Sequence, residues 1–392
     1  MDSLRKLVKS DGGRIAFLPW LTLPTSVDVG AFRFVSVKLA EIETVVGSTM
    51  AEAVAATIRT HVDQSGKPIE DCTLIIRPRS KVPWDMPDIR WPFAAGASKL
   101  LALGALAEQR FLGSAIFHGH MNSTMFRPAN HIAIAGSPYF SMHYSRRGGS
   151  LRVGGRTVTD TVFQQPHQIE GTRCDGVNTR LIQAVIRAEK KAPELWSAIE
   201  TALDMFLLGH SEAPELDDHT CIMLSAMAFE RLLEPPEAKA LSLAETLAGL
   251  FAAFPSRLMS ASTWMKCDMK YQALQSSWPL HQKWMKELYE ARSAQAHRGA
   301  RPEFSSNFEP EKHMVIAAFV FPLAVKLKLS AAGLYRLSSD EIVSCEVLDE
   351  LIDSDWGTGF DNPPQWPRIL DEAQAVRGRR ETIRKAFSRT KV

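Results

Sequence analysis

Arg292 and His297 stand five positions apart near the end of the segment WMKELYEARSAQAHRG, which runs from Trp284 to Gly299. A guanidinium presents fixed, parallel N–H donors to phosphate oxygens. An imidazole titrates near neutral pH and can take or give a proton. Together these residue types can support cleavage of RNA by the adjacent 2′-hydroxyl. The arginine would stabilise the charge that builds on the phosphorus centre, and the histidine would move a proton. The scheme calls for no metal ion and no cofactor.

The positions before the pair set its frame. Trp284, Leu288, Ala291 and Gln295 recur at helical spacing and predict a helix with a largely apolar face. An offset of five residues turns Arg292 and His297 about 140° apart on that helix, so they share a broad edge rather than one stripe. His297, Arg298 and Gly299 also make an ordinary helix end. Cations complement the negative pole of the dipole there, and a glycine closes the last turn. The same dipole favours the protonated imidazole. Chemistry and capping both account for these residues, and both readings stay open on the spacing alone.

The chain around the motif has 392 residues, 45% hydrophobic and 23% charged, with 46 Lys and Arg against 44 Asp and Glu. Such a composition excludes a wholly disordered chain, a collagen-like fibre and a disulfide-stapled miniprotein. The near-zero net charge means that any nucleic-acid contact must come from a local patch. Two halves are expected, an α+β fold class overall. Residues 1–170 mix β-rich runs (Phe32–Val37, Cys72–Arg77, His131–Ala135, Tyr139–Tyr144, Thr157–Phe163) with helices over Thr49–Val62 and Gly96–Gln109. Arg147–Arg156 reads as turn, short strand and turn, and the proline-rich Pro78–Pro92 as an irregular loop. Residues 177–392 form an all-α domain. Its helices are expected over Thr179–Gly209, Leu216–Leu233, Ser242–Phe254, Tyr271–His297, Glu311–Leu329 and Asp340–Ile352, ending in a basic C-terminal segment.

LYEARSAQAHRG resembles the signature helix of HEPN domains, in particular the Apea-like group, where a motif L-Y-x-x-R-(polar)-x-x-x-H-G closes a helix of an all-helical domain. CIMLSAMAFERLL, Cys221–Leu233, is similar to the first core helix of that group, with Glu230 at its acidic position. A β-containing region before the helical domain matches the same layout, and FLPWLTLPTSVDV (Phe17–Val29) is similar to its opening. The resemblance covers about residues 180–330. It implies a metal-independent endoribonuclease leaving 2′,3′-cyclic phosphate and 5′-hydroxyl ends, built as a homodimer whose two motifs line one cleft. It implies use as a toxin or antiphage abortive-infection effector, with a phage-derived trigger sensed by the N-terminal domain. Arg292 and His297 would be catalytic, with Ser293, Glu230 and Arg298 supporting. Two departures, Ser293 where active members carry Asn, Asp or His, and Arg298 displacing the glycine to position 299, point to the alternative of a catalytically inactive binding scaffold.

Other features bear on partners. Arg377, Arg379, Arg380, Arg384 and Lys385 make the C-terminus basic, either a solvated helix face or a weak RNA-binding arm for a substrate such as tRNA. His118 and His120, with Glu108, His131 and His143 within reach in sequence, are the alternative metal site; hydrogen-bonded sheet histidines are the default. No GxxxxGK[ST], GxGxxG or GxSxG motif is present. Asp217, Asp218 and His219 read as a helix start. Cys72, Cys174, Cys221, Cys267 and Cys345 are scattered without a CxxC pair, which fits a reducing cytoplasm. Met1–Gly13 lacks the apolar core of a signal peptide, and Met314–Val325, with Pro322 inside it, reads as a buried helix rather than a membrane span.

Overall fold

The computed structural model describes residues 14–43, 48–76, 87–108, 123–133, 139–146, 149–157, 161–165, 174, 176–211, 216–255, 278–298, 308, 310–354 and 366–389. The fold is mixed α and β, and mostly helical. Contacts divide the chain into two compact units. One is Met1–Gln109 with Asn122–Gln183, the other Arg110–Met121 with Ala184–Val392.

The first unit is built on an antiparallel sheet. Strands β1 (Arg14–Leu18), β2 (Val27–Val29), β3 (Phe32–Lys38), β5 (Asp71–Ile76), β6 (Ala129–Ala133), β7 (Tyr139–Arg146) and β8 (Gly149–Thr157) lie in the order β2-β3-β5-β1-β6-β7-β8. A separate parallel pair joins β4 (His61–Val62) to β9 (Phe163–Gln164). Gly30, at positive φ, opens the two-residue turn between β2 and β3, where glycine is the natural residue. Phe17 on central β1, Leu74 and Ile76 on adjacent β5, and Val37 on β3 beyond it pack against Val54, Ala55 and Ile58 of helix α1 (Ser48–Ile58). Burying that apolar surface holds the helix on the sheet. Helix α2 (Pro87–Glu108) completes the unit, with Gly104 where Ile182 and Val177 approach too closely for a Cβ.

Three expectations for this region need correction. The helix expected to reach Val62 ends at Ile58, where the Thr57 and Thr60 hydroxyls bond carbonyls of the last turn and His61–Val62 becomes a strand. The Gly96 helix begins at Pro87, because a proline fits a first helical turn. The segment 149–157 is one strand rather than turn, strand and turn. Its register against β7 shifts between Phe140 and Met142, opposite Gly154 and Gly155, so the glycines form a bulge.

The second unit is helical among its described residues. Helix α3 (Thr179–Lys191) carries the division between the units. It is followed by α4 (Pro193–Gly209), α5 (Asp218–Leu233), α6 (Ala240–Phe251), α7 (Leu280–Arg298), α8 (Pro310–Ala331), α9 (Ser339–Glu346), α10 (Leu348–Asp353) and α11 (Trp366–Arg389). The single helix expected over Thr179–Gly209 is two. Pro193 lacks an N–H and takes the first position of a new helix after Ala192 leaves helical geometry. The helix expected over Asp340–Ile352 likewise breaks at Val347. Asp217 caps α5 by accepting from the Thr220 N–H.

The core of this unit is a run of aromatic rings. Phe206 of α4 stacks on Phe321 of α8 at 4.2 Å, Phe321 meets Phe229 of α5 edge-on at 5.6 Å, and Phe229 meets Trp284 of α7 edge-on at 5.6 Å. Four helices are thereby locked by contacts of the geometry aromatic quadrupoles favour. Gly209 lets α4 approach α5: a Cβ there would sit 3.0 Å from the Cys221 carbonyl oxygen. Helix α8 runs through Pro322, and Lys312–Ala331 is long and apolar enough to cross a bilayer by composition. Yet 78% of its most apolar window is buried inside the protein, as a core helix requires.

Candidate functional site

The motif helix α7 is held along most of its length. Trp284, Met285 and Leu288 are fully buried on its apolar side. At its start the His281 backbone N–H and ring Nδ1 both bond Asp349 Oδ1 of α10, at 2.8 and 2.7 Å. Buried Lys283 and Glu287 pair along the helix at 3.2 Å, and Lys286 pairs with Glu290 one turn on. A helix anchored by a core face and by buried polar groups keeps its later side chains in fixed directions.

Three side chains converge after that anchor. Arg292 Nη1 donates to the Tyr289 hydroxyl at 2.8 Å, and its Nη2 lies 3.3 Å from Glu230 Oε2 on α5. The Tyr289 hydroxyl donates in turn to Glu230 Oε1 at 3.5 Å, and the guanidinium carbon sits 4.8 Å from the tyrosine ring centre. Arg292 and Tyr289 are three residues apart, the spacing that puts side chains on one helix face. Burial raises the Tyr289 hydroxyl above its usual pKa, the Glu230 charge adds to this, and the Arg292 charge opposes it. The hydroxyl is therefore neutral near pH 7 and free to bridge the pair. The Arg292 side chain is a quarter exposed, so the guanidinium is positioned without being sealed from solvent.

Arg292 borders a cleft of about 780 Å³ between α4 and α5. One stripe of α4 (Glu194, Ser197, Thr201) faces one stripe of α5 (Met227, Glu230, Glu234) across it. The end of α4 meets the beginning of α5 at Gly209, and its beginning faces the end of α5 here, so the two run antiparallel. Helix α5 stops at Glu234, whose left-handed backbone turns the chain into Pro235. Glu234 Oε2 lies 3.8 Å from Lys328 Nζ.

Of the residues singled out from sequence, the fold brings Arg292 and Glu230 together. Ser293 follows Arg292 on α7 and is half-buried. His297 and Arg298 occupy the last turn of the same helix, and their side chains lie outside the described residues. Arg377 of α11 is engaged by Glu346 of α9 at 2.8 Å, and Arg379 Nε bonds the Ala375 carbonyl at 3.3 Å. Arg380, Arg384 and Lys385 are on α11, with side chains outside the described residues, as are His118 and His120 entirely. His131 is buried in a ring cluster with Phe17, His61 and Phe163. Among the described residues no group of three or more His, Cys, Asp or Glu could hold a metal ion. Sequence reasoning did not single out Tyr289 as the bridge, although its i, i+3 relation to Arg292 was the available signal. The cleft was also missed, because it depends on the Pro193 break.

Chemically the cluster is a partly exposed guanidinium held by a carboxylate and a phenol. The guanidinium has more N–H donors than Tyr289 and Glu230 engage, so it can bind phosphate oxygens while they hold its plane. Comparison of the chain with family models, with curated proteins and with solved structures gave no match.

Proposed function

We propose that the protein is a metal-independent endoribonuclease of HEPN type, with an N-terminal α+β regulatory domain and a helical nuclease domain. Arg292 and His297 are its catalytic pair. The 2′-hydroxyl attacks phosphorus and loses its proton, the P–O5′ bond breaks, and the departing oxygen takes up a proton. His297 moves a proton in this exchange, and Arg292 stabilises the negative charge on the non-bridging oxygens. The products are a 2′,3′-cyclic phosphate and a 5′-hydroxyl. The observation that carries the reading is the brace on Arg292: Glu230 and Tyr289 fix a partly exposed guanidinium beside a cleft, on the helix whose last turn holds His297. Glu230 and Tyr289 are positioning residues. One motif per chain implies a homodimer, with RNA such as tRNA as substrate, in the cytoplasm, as an antiphage effector or toxin whose basal cleavage a phage-derived trigger raises.

A second reading, an inactive scaffold of the same fold, is favoured by Ser293 and Arg298 and by an ion pair that already balances the Arg292 charge. Induced expression in cells separates the two. The ribonuclease reading expects growth to stop with fragmented RNA, and both effects to vanish with His297→Ala. Growth arrest with intact RNA, unchanged by His297→Ala, would leave the scaffold standing.

A further inference from the structure

The α4–α5 cleft has a chemistry that the reaction at Arg292 does not use. Besides Glu230, which braces Arg292, its lining offers acceptors in the carboxylates of Glu194 and Glu234 and the hydroxyls of Ser197 and Thr201. Ala198, Met227, Pro193 and Pro235 add apolar surface. Cations stand at Arg231 and Arg292. A ligand matching this lining carries an anion for the arginines, a flat body for the apolar surface and N–H donors for the carboxylates. A volume of about 780 Å³ is of the size that holds a small ligand.

We propose that this cleft is a base subsite selective for guanine, holding one nucleotide whose phosphate lies at Arg292. The proposal rests on the ribonuclease reading only in taking Arg292 as a phosphate ligand. The two carboxylate oxygens accept parallel hydrogen bonds from adjacent donors. Guanine is the one standard base whose Watson–Crick edge presents two such donors side by side, N1–H and N2–H2. Uracil places its single N–H between two carbonyl oxygens, which a carboxylate repels. Adenine and cytosine each set one amino donor beside a ring-nitrogen acceptor. Guanine O6 can accept from a hydroxyl, and Ser197 and Thr201 supply hydroxyls on the same stripe of α4.

Glu194 is the recognition residue. Glu230 is engaged with Arg292 and Tyr289, and Glu234 lies near Lys328. Glu194 is exposed and has no ion-pair partner among the described residues, so its carboxylate is available to a ligand. A base held there would also orient the sugar and scissile phosphate at Arg292.

The test is equilibrium binding of guanosine, adenosine, cytidine and uridine 3′-monophosphates to the full-length protein, followed by calorimetry without any cleavage assay. The guanosine nucleotide should bind about tenfold or more tighter than the other three. Glu194→Gln should erase most of that preference, because the amide turns one acceptor into a donor. Arg292→Ala should weaken all four alike and leave the preference in place. Equal binding of the four nucleotides, no binding of any, or a guanine preference untouched by Glu194→Gln would overturn the subsite. The two readings fail separately. RNA cleavage with indifferent nucleotide binding would sink the subsite alone. A Glu194-dependent guanine preference in a protein that cuts no RNA would sink the ribonuclease alone.

Discussion

The Arg292 guanidinium lies 3.3 Å from the Glu230 carboxylate, a contact that ties the motif helix α7 to α5 at the wall of the cleft. The two residues belong to segments far apart in sequence, and Tyr289 bridges them. A group that must meet a phosphate in one orientation gains from such a frame, because small misplacements are costly in rate.

Loss of either brace should therefore lower cleavage without unfolding the protein. Glu230→Gln and Tyr289→Phe are expected to reduce the rate about ten- to a hundredfold, since the reacting groups remain but are held less well. Urea unfolding should shift by no more than about 1–2 kcal/mol, the scale of a partly exposed charged hydrogen bond. A rate unchanged in both variants would detach the brace from the chemistry.

The brace depends in turn on the aromatic core. Trp284 is fully buried against Phe229, so Trp284→Ala should cost about 3–5 kcal/mol through lost contacts and an unfilled cavity. Thermal or urea unfolding followed by circular dichroism reads this directly, and a cost below about 1 kcal/mol would mean the core closes over the space.

Gly209 makes a sharper local test. Alanine is the better helix former, yet its Cβ would meet the Cys221 carbonyl oxygen at 3.0 Å and Leu224 Cβ at 3.1 Å. Gly209→Ala should destabilise by about 1–3 kcal/mol as α4 is pushed from α5. Stabilisation of the variant in urea would show that the helices give way freely.

Acid should weaken the helical unit before its carboxylates are protonated. Burial pushes the His210 pKa down to about 4, and burial with the nearby Lys312 charge pushes His313 down to about 3. Between the unfolded value near 6.5 and these folded values, the unfolded chain binds protons that the folded chain refuses. Stability is therefore present above about pH 6.5 and falls as pH drops toward 4, by about 1.4 kcal/mol per pH unit for each histidine. His313→Leu should remove one histidine's share of that slope in urea unfolding at pH 7, 6 and 5. An unchanged slope would show that His313 does not titrate on unfolding.

The motif helix was legible because its apolar residues recur at one period over several turns, and the first capping residue of α5 because Asp217 and Asp218 precede such a pattern. Other features depended on partners that a local pattern does not contain. The central strand β1 has a four-residue apolar run, Ile15–Leu18, after Arg14, too short to show a period, and is a strand because β5 and β6 flank it. Gly154 and Gly155 look like a turn until the register against β7 makes them a bulge. Pro193 lies inside a long helical pattern that hides the break, and with it the α4 start that forms one wall of the cleft. The family resemblance marks Glu230 as a supporting acid, but its contact with Arg292 is visible only in the fold, since nothing local joins the two residues.

The most direct test of the central claim incubates the purified full-length protein with total RNA and with a tRNA pool, with EDTA present throughout. Arg292→Ala and His297→Ala proteins, verified as folded, run alongside. The account predicts cleavage by the wild type to 2′,3′-cyclic phosphate and 5′-hydroxyl ends, absent from both variants. Cleavage that survives both substitutions, or that EDTA abolishes, would contradict it.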